Sequence, residues 1–363
     1  DNQMKRSLLG VTLSLLVCSQ AIAADIYGLT KGTPELKSAG PMTFGPDGIL
    51  FIGDPKAATV YAIQTGEKKG NAAEAAPQID GVNEAINQKL KGEATIADMA
   101  VSPATGNVFF LVTVKGSGPA LVRVSGGEVS KVPLKDIAFS KKVLTSAPDD
   151  AVVGQGRRRR NLRDDSITDI AWVDSDVIVS GLRKGDSPSG VTTMVFPFNN
   201  ADKGAGLEIY HAAHGKSEDY SAIRTFVPFI INGEANLLAG FVCTPLVKFP
   251  VSAVESSGKV TGTTIAELGN RNRPLDMIVY EKGGKNFLLL SNSARGVMKI
   301  STEDIERSTG ITEPVRGGGA AGQEYETIES WKNVVQLDKL NDTHAAVLIK
   351  NGDQLDLKTV ELP

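Results

Sequence analysis

The sequence has few of the residues that build disulfide frameworks, metal sites or nucleic-acid interfaces. It contains two cysteines and three histidines in 363 residues. Cys18 lies in the apolar N-terminal region, where the bulk of the preceding Val17 disfavours a lipidated cysteine. That leaves Cys243 alone in the rest of the chain, so no intrachain disulfide is expected, and its apolar surroundings favour a buried, inert thiol. The net charge of −3 is close to balance, which argues against nucleic acid as a partner.

The motifs that usually identify an enzyme are missing as well. The sequence has no G-x-S-x-G, no H-E-x-x-H, no C-x-x-C-H haem attachment site and no phosphate-binding glycine loop. The run "GGGAAG" at 317–322 follows no strand-to-helix pattern and predicts a flexible linker. Candidate functional residues must therefore be identified from their positions in the predicted fold.

The first 23 residues have the order of a secretory signal peptide preceded by a few upstream residues. Two basic residues precede an apolar run over 8–17, and Ala21-Ile22-Ala23 supplies an A-x-A cleavage site. We expect cleavage before Ala24, a single domain over 24–363, and a periplasmic or secreted protein. The apolar run is shorter than the roughly 20 residues that cross a bilayer, and no other stretch is long enough.

A repeat organises the remainder of the chain. Six stretches share the order apolar strand, tight turn, apolar strand, and their turns recur about every 60 residues. A third strand follows most hairpins, and a fourth can be read before the next unit, as in "KVTGTTIAEL". Four antiparallel strands repeated six times predict an all-β fold, a six-bladed β-propeller. The turns have the Asp, Asn and Gly chemistry of hairpins: Asp47-Gly48, Gly106-Asn107, Asp174-Ser175, Asn232-Gly233, Gly283-Gly284 and Asn341-Asp342.

Two details of the ring remain open in the sequence. The interval between Asp98 and Asp169 is the longest and could contain a small extra sheet, which would make seven blades. The C-terminal "LDLKTVELP" ends the chain with three strands in its blade. The N-terminal "ADIYGLTKGTPEL" could supply the fourth strand, so we expect the N-terminal strand to close the ring.

A run of four arginines, Arg157–Arg160, falls in the same long interval. It could form a docking patch for an acidic partner or an anionic surface. The alternative is a solvated loop whose charge Asp164 and Asp165 partly neutralise.

The repeat resembles a known group of proteins. "GPMTFGPDGILFIGDPKAATVYAI" and "PLDMIVYEKGGKNFLLLSNSARGVMKI" resemble blades of the NHL, SMP-30/gluconolactonase and strictosidine-synthase-like six-bladed propellers. The SMP-30-like lactonases bind a divalent cation at the channel through a Glu, Asn and Asp set. The resemblance assigns Asn292 and Asp276 to such a set, but Met42 stands where the first blade would supply an acid. The set is incomplete.

Acidic residues recur where the innermost strands of the blades begin. In a propeller these strands line the central channel, which places Asp98, Asp169, Arg224 and Asp276 at its rim. Such a polar opening could bind a divalent cation such as calcium through oxygen ligands, or a cationic or sugar-like ligand. The alternative is that each aspartate only caps its connecting loop by accepting hydrogen bonds from backbone amides.

The stretch "YHAAHGKSEDYSAIRTF" at 210–226 contains two of the three histidines. His211 and His214 are three residues apart, so one helical turn could direct both imidazoles at a metal such as zinc. Glu218 could complete the ligand set or orient a histidine. The stretch leads to Arg224 and is expected on the same face as the channel rim. The alternative is a polar loop without a ligand.

Two functions of different class fit these features. The first is an exported module that binds a small ligand or a protein, for example as an accessory subunit of a larger complex. The second is a metal-dependent hydrolase of lactonase type at the channel mouth. There a divalent ion would activate water, with His211 or His214 as the general base.

Overall fold

The computed structural model describes residues 26–156, 159–256 and 258–363. The expected signal peptide, its cleavage site, Arg157 and Arg158 lie outside the described residues. The helices are α1 (Val82–Leu90) and α2 (Val251–Val254), with single 3-10 turns at Pro46–Gly48, Ala72–Glu74 and Leu162–Asp165. The strands are, in chain order, β1 (Thr30–Gly32), β2 (Met42–Phe44), β3 (Ile49–Asp54), β4 (Thr59–Gln64), β5 (Ala94–Val101), β6 (Val108–Val114), β7 (Gly118–Ser125), β8 (Glu128–Val132), β9 (Ile137–Val143), β10 (Val152–Val153), β11 (Arg160–Asn161), β12 (Asp169–Val173), β13 (Asp176–Leu182), β14 (Ser189–Val195), β15 (Lys203–His211), β16 (Lys216–Glu218), β17 (Thr225–Ile231), β18 (Glu234–Gly240), β19 (Pro245–Pro250), β20 (Gly258–Thr261), β21 (Thr263–Leu268), β22 (Pro274–Lys282), β23 (Lys285–Asn292), β24 (Gly296–Ser301), β25 (Ala320–Gly322), β26 (Tyr325–Thr327), β27 (Val334–Lys339), β28 (His344–Asn351) and β29 (Gln354–Glu361).

The strands form because apolar runs are separated by turns that only a few residue types tolerate. Every residue of β3 is buried, as expected for a strand covered on both faces by neighbouring blades. The turn before it places Asp47 at φ 50° and Gly48 at φ 71°, conformations that Gly and Asp adopt more readily than other residues. Asn232 (φ 51°) and Gly233 (φ 81°) make the equivalent turn between β17 and β18.

Six sheets form the blades, which confirms the predicted six-bladed β-propeller. We number the blades in chain order. Blade 1 contains β2, β3, β4 and β9, with β1 at its outer edge, and blade 2 contains β5 to β8. Blade 3 contains β12 to β15, with β16 and β20 alongside. Blade 4 contains β17, β18, β19 and β21, with β25 outermost; blade 5 contains β22, β23, β24 and β26; blade 6 contains β27 to β29.

The order of the blades around the ring differs from their order in the chain. Blade 2 lies between blades 6 and 1, because Val101 in β5 donates its backbone N–H to Asp338 in β27 (2.7 Å), and Asp98 accepts from Met42 in β2 (2.6 Å). After blade 2 the chain returns to pair β9 with β4. Blade 2 is therefore inserted between the third and fourth strands of blade 1.

The prediction that the N-terminal strand completes the last blade is wrong. β1 pairs with β9 at the outer edge of blade 1. The outer edge of β29 is instead covered by residues 77–83, which we call the closure segment. Ile79 and Leu357 exchange both backbone hydrogen bonds (3.0 and 2.9 Å), and Gly81 donates to Asp356 (2.7 Å). The insertion of blade 2 brings this segment to blade 6, a connection that local sequence patterns do not reveal.

The long interval between Asp98 and Asp169 is explained without a seventh blade. It contains β9, which belongs to blade 1, and the two-stranded ribbon of β10 and β11. The seven-blade alternative is therefore wrong. In the arginine run, Arg160 begins β11 and is exposed, whereas Asp165 pairs with Arg224 at 3.0 Å. The linker predicted at 317–322 is partly a strand, since Ala320–Gly322 pairs with β21.

The core is divided among the interfaces between neighbouring blades. Each of the six interfaces has its own buried apolar cluster. Phe51 of blade 1 stacks on Trp172 of blade 3 with ring centroids 5.5 Å apart. Phe110 of blade 2 shares a cluster with Leu348 of blade 6, and Ile86 of α1 packs into it. The packing thus supports the same blade order as the hydrogen bonds.

Candidate functional site

The central channel has a cavity of about 290 Å³ lined by acidic side chains from four blades. Three of them, Asp98, Asp169 and Asp276, were predicted from the sequence. The fourth, Asp338 in β27, was not, because it lies near the end of its strand rather than at the start. We call these four residues the channel aspartates. Their blades are 2, 3, 5 and 6.

Each channel aspartate joins its own strand to the next blade. Asp169 accepts from the backbone N–H of Ile170 (2.8 Å) and, across the interface, from Phe226 (2.7 Å). Asp276 accepts from Met277 (2.8 Å) and Leu337 (2.9 Å) in the same way. Asp169 and Phe226 lie at the starts of β12 and β17, so these neighbouring innermost strands begin at the same face of the ring, which we call the top face.

The channel aspartates all have raised pKa values. Burial raises the pKa of Asp169 to about 7 and that of Asp338 to about 6, against the effect of their backbone hydrogen bonds. The pKa values of Asp98 and Asp276 are raised well above normal, by burial first and also by the other carboxylates. Both carboxylate oxygens of Asp169 and of Asp276 accept from backbone amides, so these side chains join neighbouring strands.

The remaining residues of the predicted channel set do not line the channel cavity. Arg224 lines a separate cavity of about 530 Å³ at the channel mouth, where Nη1 donates to Asp165 at 3.0 Å. Asn292 does not line the channel. It is buried at the end of β23, accepts from Asn272 Nδ2 (3.0 Å) and donates to the Leu290 carbonyl (3.0 Å). The lactonase-like set of Asp276 and Asn292 is therefore not assembled.

The two histidines lie at the outer part of blade 3, on the top face. β15 ends at His211, a tight turn over 212–215 follows, and β16 returns to Glu218. The carboxylate of Glu218 binds both imidazoles: Oε2 lies 2.9 Å from His211 Nδ1, and Oε1 lies 2.7 Å from His214 Nδ1. The two ring centroids are 3.8 Å apart. Glu218 thus orients both rings through Nδ1 and leaves both Nε2 atoms available.

Cys243 of blade 4 completes the group. It lies in the turn between β18 and β19, where Cys243 (φ 65°) and Thr244 (φ 60°) are both left-handed, a conformation that costs about 1–2 kcal/mol per residue. Hydrogen bonds hold this turn, from Cys243 N to the Asn272 carbonyl (2.8 Å) and from Thr244 Oγ1 to the Gly269 carbonyl (2.6 Å). Cys243 is partly exposed, so the expectation that it is buried is wrong.

One ligand atom from each of His211, His214 and Cys243 lies within 4.8 Å of the other two. Within residues 26–156, 159–256 and 258–363, this is the one group of three or more His, Cys, Asp or Glu side chains that meets this distance. The channel aspartates do not converge in this way. We call His211, His214 and Cys243 the histidine cluster.

The protonation states suit metal binding. Burial lowers the pKa of His211, although Glu218 opposes the effect. Burial alone would raise the pKa of Glu218, but hydrogen bonds from His211, Tyr220 and His214 bring it below its usual value. A neutral His211 that donates Nδ1–H to an ionised Glu218 carries a lone pair on Nε2. That Nε2 is buried and has no hydrogen-bond partner in the described structure, while His211 as a whole is 2% exposed.

Glu267, in the fourth strand of blade 4, supports the histidine turn from behind. Its Oε1 accepts from the backbone N–H of Ala213 at 3.2 Å. It is fully buried, and burial raises its pKa to about 7. The cluster is therefore assembled from two blades, with the turn of blade 3 fixed against a strand of blade 4.

The histidines line neither the channel cavity nor the cavity at its mouth, so a general base there cannot be His211 or His214.

No family model and no curated protein sequence matches the chain. Among solved structures, it is similar to extracellular domains 1–2 of Drosophila semaphorin 1b (10% identity, TM-score 0.41, 92% of this chain and 87% of that one). It is also similar to the extracellular region of plexin A4 (9%, 0.43, 92% and 47%). A third is the PQQ-bound aldose sugar dehydrogenase of Streptomyces coelicolor (12%, 0.25, 92% and 98%).

The strand pairing defines the chain as a six-bladed β-propeller with blade 2 inserted into blade 1. None of its described helices has the length and apolar character needed to cross a bilayer.

Proposed function

We propose that this protein is an exported binding module whose functional centre is a transition-metal site made by His211, His214 and Cys243. The observation that carries the proposal is the convergence of these three ligand atoms within 4.8 Å, with Glu218 bound to both imidazoles. A carboxylate that accepts the second N–H of a metal-binding histidine fixes the ring and raises its basicity. Glu218 is placed to do this for two histidines at once.

The ligand types decide which metals suit the site. Two imidazoles and a thiolate favour zinc or copper, whereas calcium requires oxygen ligands. Three protein ligands with one open position are typical of zinc sites that bind a water molecule or an exogenous ligand. We therefore propose zinc as the ion and, of the two metals considered from sequence, discard calcium at this site.

The location of the site favours binding over lactonase-type hydrolysis in the channel. The channel aspartates have their oxygens on backbone amides, and the group that would resemble a lactonase set is dispersed. The histidine cluster instead lies on the top face, at the junction of blades 3 and 4. Such faces provide broad surfaces for a protein or small-molecule partner. The signal-peptide pattern supports export to the periplasm or the exterior.

The proposal predicts one bound metal ion per chain. Protein purified without chelator and incubated with zinc should retain about one equivalent, measured by elemental analysis after removal of free metal. H211A and C243S should each lose most of this zinc, because two ligands bind far more weakly than three. The matched control is H344A, which removes the third histidine, located in blade 6 outside the cluster.

Circular dichroism and thermal unfolding should show that every variant is folded, so that metal loss reports on the site. The proposal is contradicted if folded wild-type protein retains no zinc. It is equally contradicted if H211A and C243S retain as much zinc as H344A.

A further inference from the structure

A solvent-accessible cavity of about 780 Å³ adjoins the histidine cluster. Three chain segments form its walls: the turn after His211, the connection between β21 and β22, and the segment before β25. His214 belongs both to the cluster and to this wall, and its side chain is 44% exposed. A metal held by the cluster would therefore be bound next to the cavity, through a ligand that faces it.

The cavity is positively charged. Arg271 and Arg316 both line it, both are exposed, and no aspartate or glutamate is among its lining residues. In the described parts of the chain, neither guanidinium takes part in an ion pair. The arginines that do pair with carboxylates, such as Arg224 with Asp165, lie elsewhere. We call this cavity the basic pocket.

Its walls are fixed to one another and to the histidine turn. Val315 donates its backbone N–H to the Ala212 carbonyl at 2.9 Å. Gly318 (φ 73°) approaches Asn270 so closely that a Cβ on this glycine would lie 2.6 Å from Asn270 Oδ1. The two arginines are thus carried by segments that already contact each other and the metal-binding turn.

We propose that the basic pocket binds a small oxyanion of carboxylate or phosphate type, which occupies the open coordination position of the metal. The inference rests on the proposed metal centre. A guanidinium binds the two oxygens of a carboxylate or phosphate through paired N–H donors, and an unpaired guanidinium has these donors free. A metal ion with three protein ligands accepts one oxygen of such an anion as its fourth ligand. Metal and arginines together therefore select for a small anion over a neutral or cationic ligand.

The experiment uses cobalt(II) in place of zinc, because its visible absorption reports on the ligands around the ion. Cobalt-loaded protein is titrated with acetate and, separately, with inorganic phosphate at constant ionic strength. The test variant is R271Q/R316Q. The matched control, R160Q/R307Q, removes the same charge from two exposed arginines that do not line the pocket. Constant ionic strength keeps long-range screening equal in all samples.

We expect at least one of the two anions to change the cobalt spectrum of the wild-type protein and of R160Q/R307Q. R271Q/R316Q should bind that anion at least about tenfold more weakly, equivalent to about 1.4 kcal/mol. A response to acetate alone would assign carboxylates as the ligand class, and a response to phosphate alone would assign phosphates.

Two results would overturn the inference while leaving the metal centre intact. One is cobalt-loaded protein whose spectrum neither anion changes; the other is equal anion affinity in R271Q/R316Q and R160Q/R307Q. Failure of the wild-type protein to take up cobalt would overturn the metal centre itself, and the oxyanion proposal with it. Cobalt content measured on the same samples separates these cases.

Discussion

At the scale of single residues, the channel aspartates and Glu218 differ in the groups that their carboxylate oxygens bind. Asp169 and Asp276 accept from backbone amides on two strands and so join neighbouring blades. Glu218 accepts from two imidazoles that have a further nitrogen each. In the channel, backbone amides occupy both oxygens of Asp169 and of Asp276. Glu218 instead leaves one nitrogen atom on each imidazole for a metal ion. Position on an innermost strand does not by itself make a carboxylate functional.

The channel aspartates should make the protein less stable as the pH rises. The folded-state pKa values of Asp169 (about 7) and Asp338 (about 6) exceed that of an unfolded aspartate, about 3.9. Between these values the folded protein holds protons that the unfolded chain has released, so raising the pH favours unfolding. The free energy of unfolding, from urea denaturation, should fall between about pH 4 and 7 by up to about 1.4 kcal/mol per pH unit per group.

D169N should flatten this slope because the amide does not ionise, and the exposed D186N should leave it unchanged. Equal slopes in D169N and the wild-type protein would show that Asp169 is ionised throughout.

The sequence predicted part of the histidine cluster and missed the rest for identifiable reasons. His211, His214 and Glu218 are close in the chain, so their spacing alone brings them together. Cys243 comes from another blade, and the apolar residues before it suggested burial. Those residues form the core strand β18, but Cys243 itself lies in the following turn. The Thr-Pro sequence after Cys243 is the one local sign of that turn.

At the scale of elements, the closure segment is what completes blade 6. Residues 77–83 run from blade 1 to blade 2 and contact β29 on the way. The outer edge of β29, the third strand of blade 6, is therefore covered and not open. A covered edge limits edge-to-edge association with other molecules. The N-terminal strand β1 covers the outer edge of blade 1 in the same way, by pairing with β9.

Replacing Ile79 with proline should loosen the ring. Proline cannot donate the N–H that Ile79 gives to the Leu357 carbonyl, and the loss of a buried hydrogen bond costs about 1–3 kcal/mol. We expect I79P to lower the midpoint of urea unfolding. The comparison variant K31P affects β1 in blade 1 and should lower it less, because β1 is short and exposed at its centre. The account of closure would fail if K31P destabilised the protein more than I79P.

The hairpins of all six blades could be predicted, but their order around the ring could not. Each hairpin is encoded by local apolar runs and turn residues, which can be recognised in the sequence. The ring order depends on contacts between distant residues, such as Val101 with Asp338 and Ile79 with Leu357. Six blades of the same pattern offer no local signal that blade 2 is inserted into blade 1.

At the scale of the whole molecule, the proposed metal would join two blades. His211 and His214 belong to the outer part of blade 3, and Cys243 belongs to a turn of blade 4. The apolar cluster shared by these blades already includes Ile209 and Phe241, which precede the two ligand-bearing turns. The ring thus supports both ligand-bearing turns, and the basic pocket beside the proposed metal lies on the surface, where a ligand can reach it.

X-ray absorption at the zinc edge tests the central claim most directly, since it identifies the atoms bound to the metal in the intact protein. For zinc-loaded wild-type protein we predict one sulfur at about 2.3 Å and two imidazole nitrogens at about 2.0 Å, with one further light atom. The zinc that C243S still retains should show no sulfur contribution. A first shell of nitrogen and oxygen alone in the wild-type protein would contradict the assignment of Cys243, and with it the proposed centre.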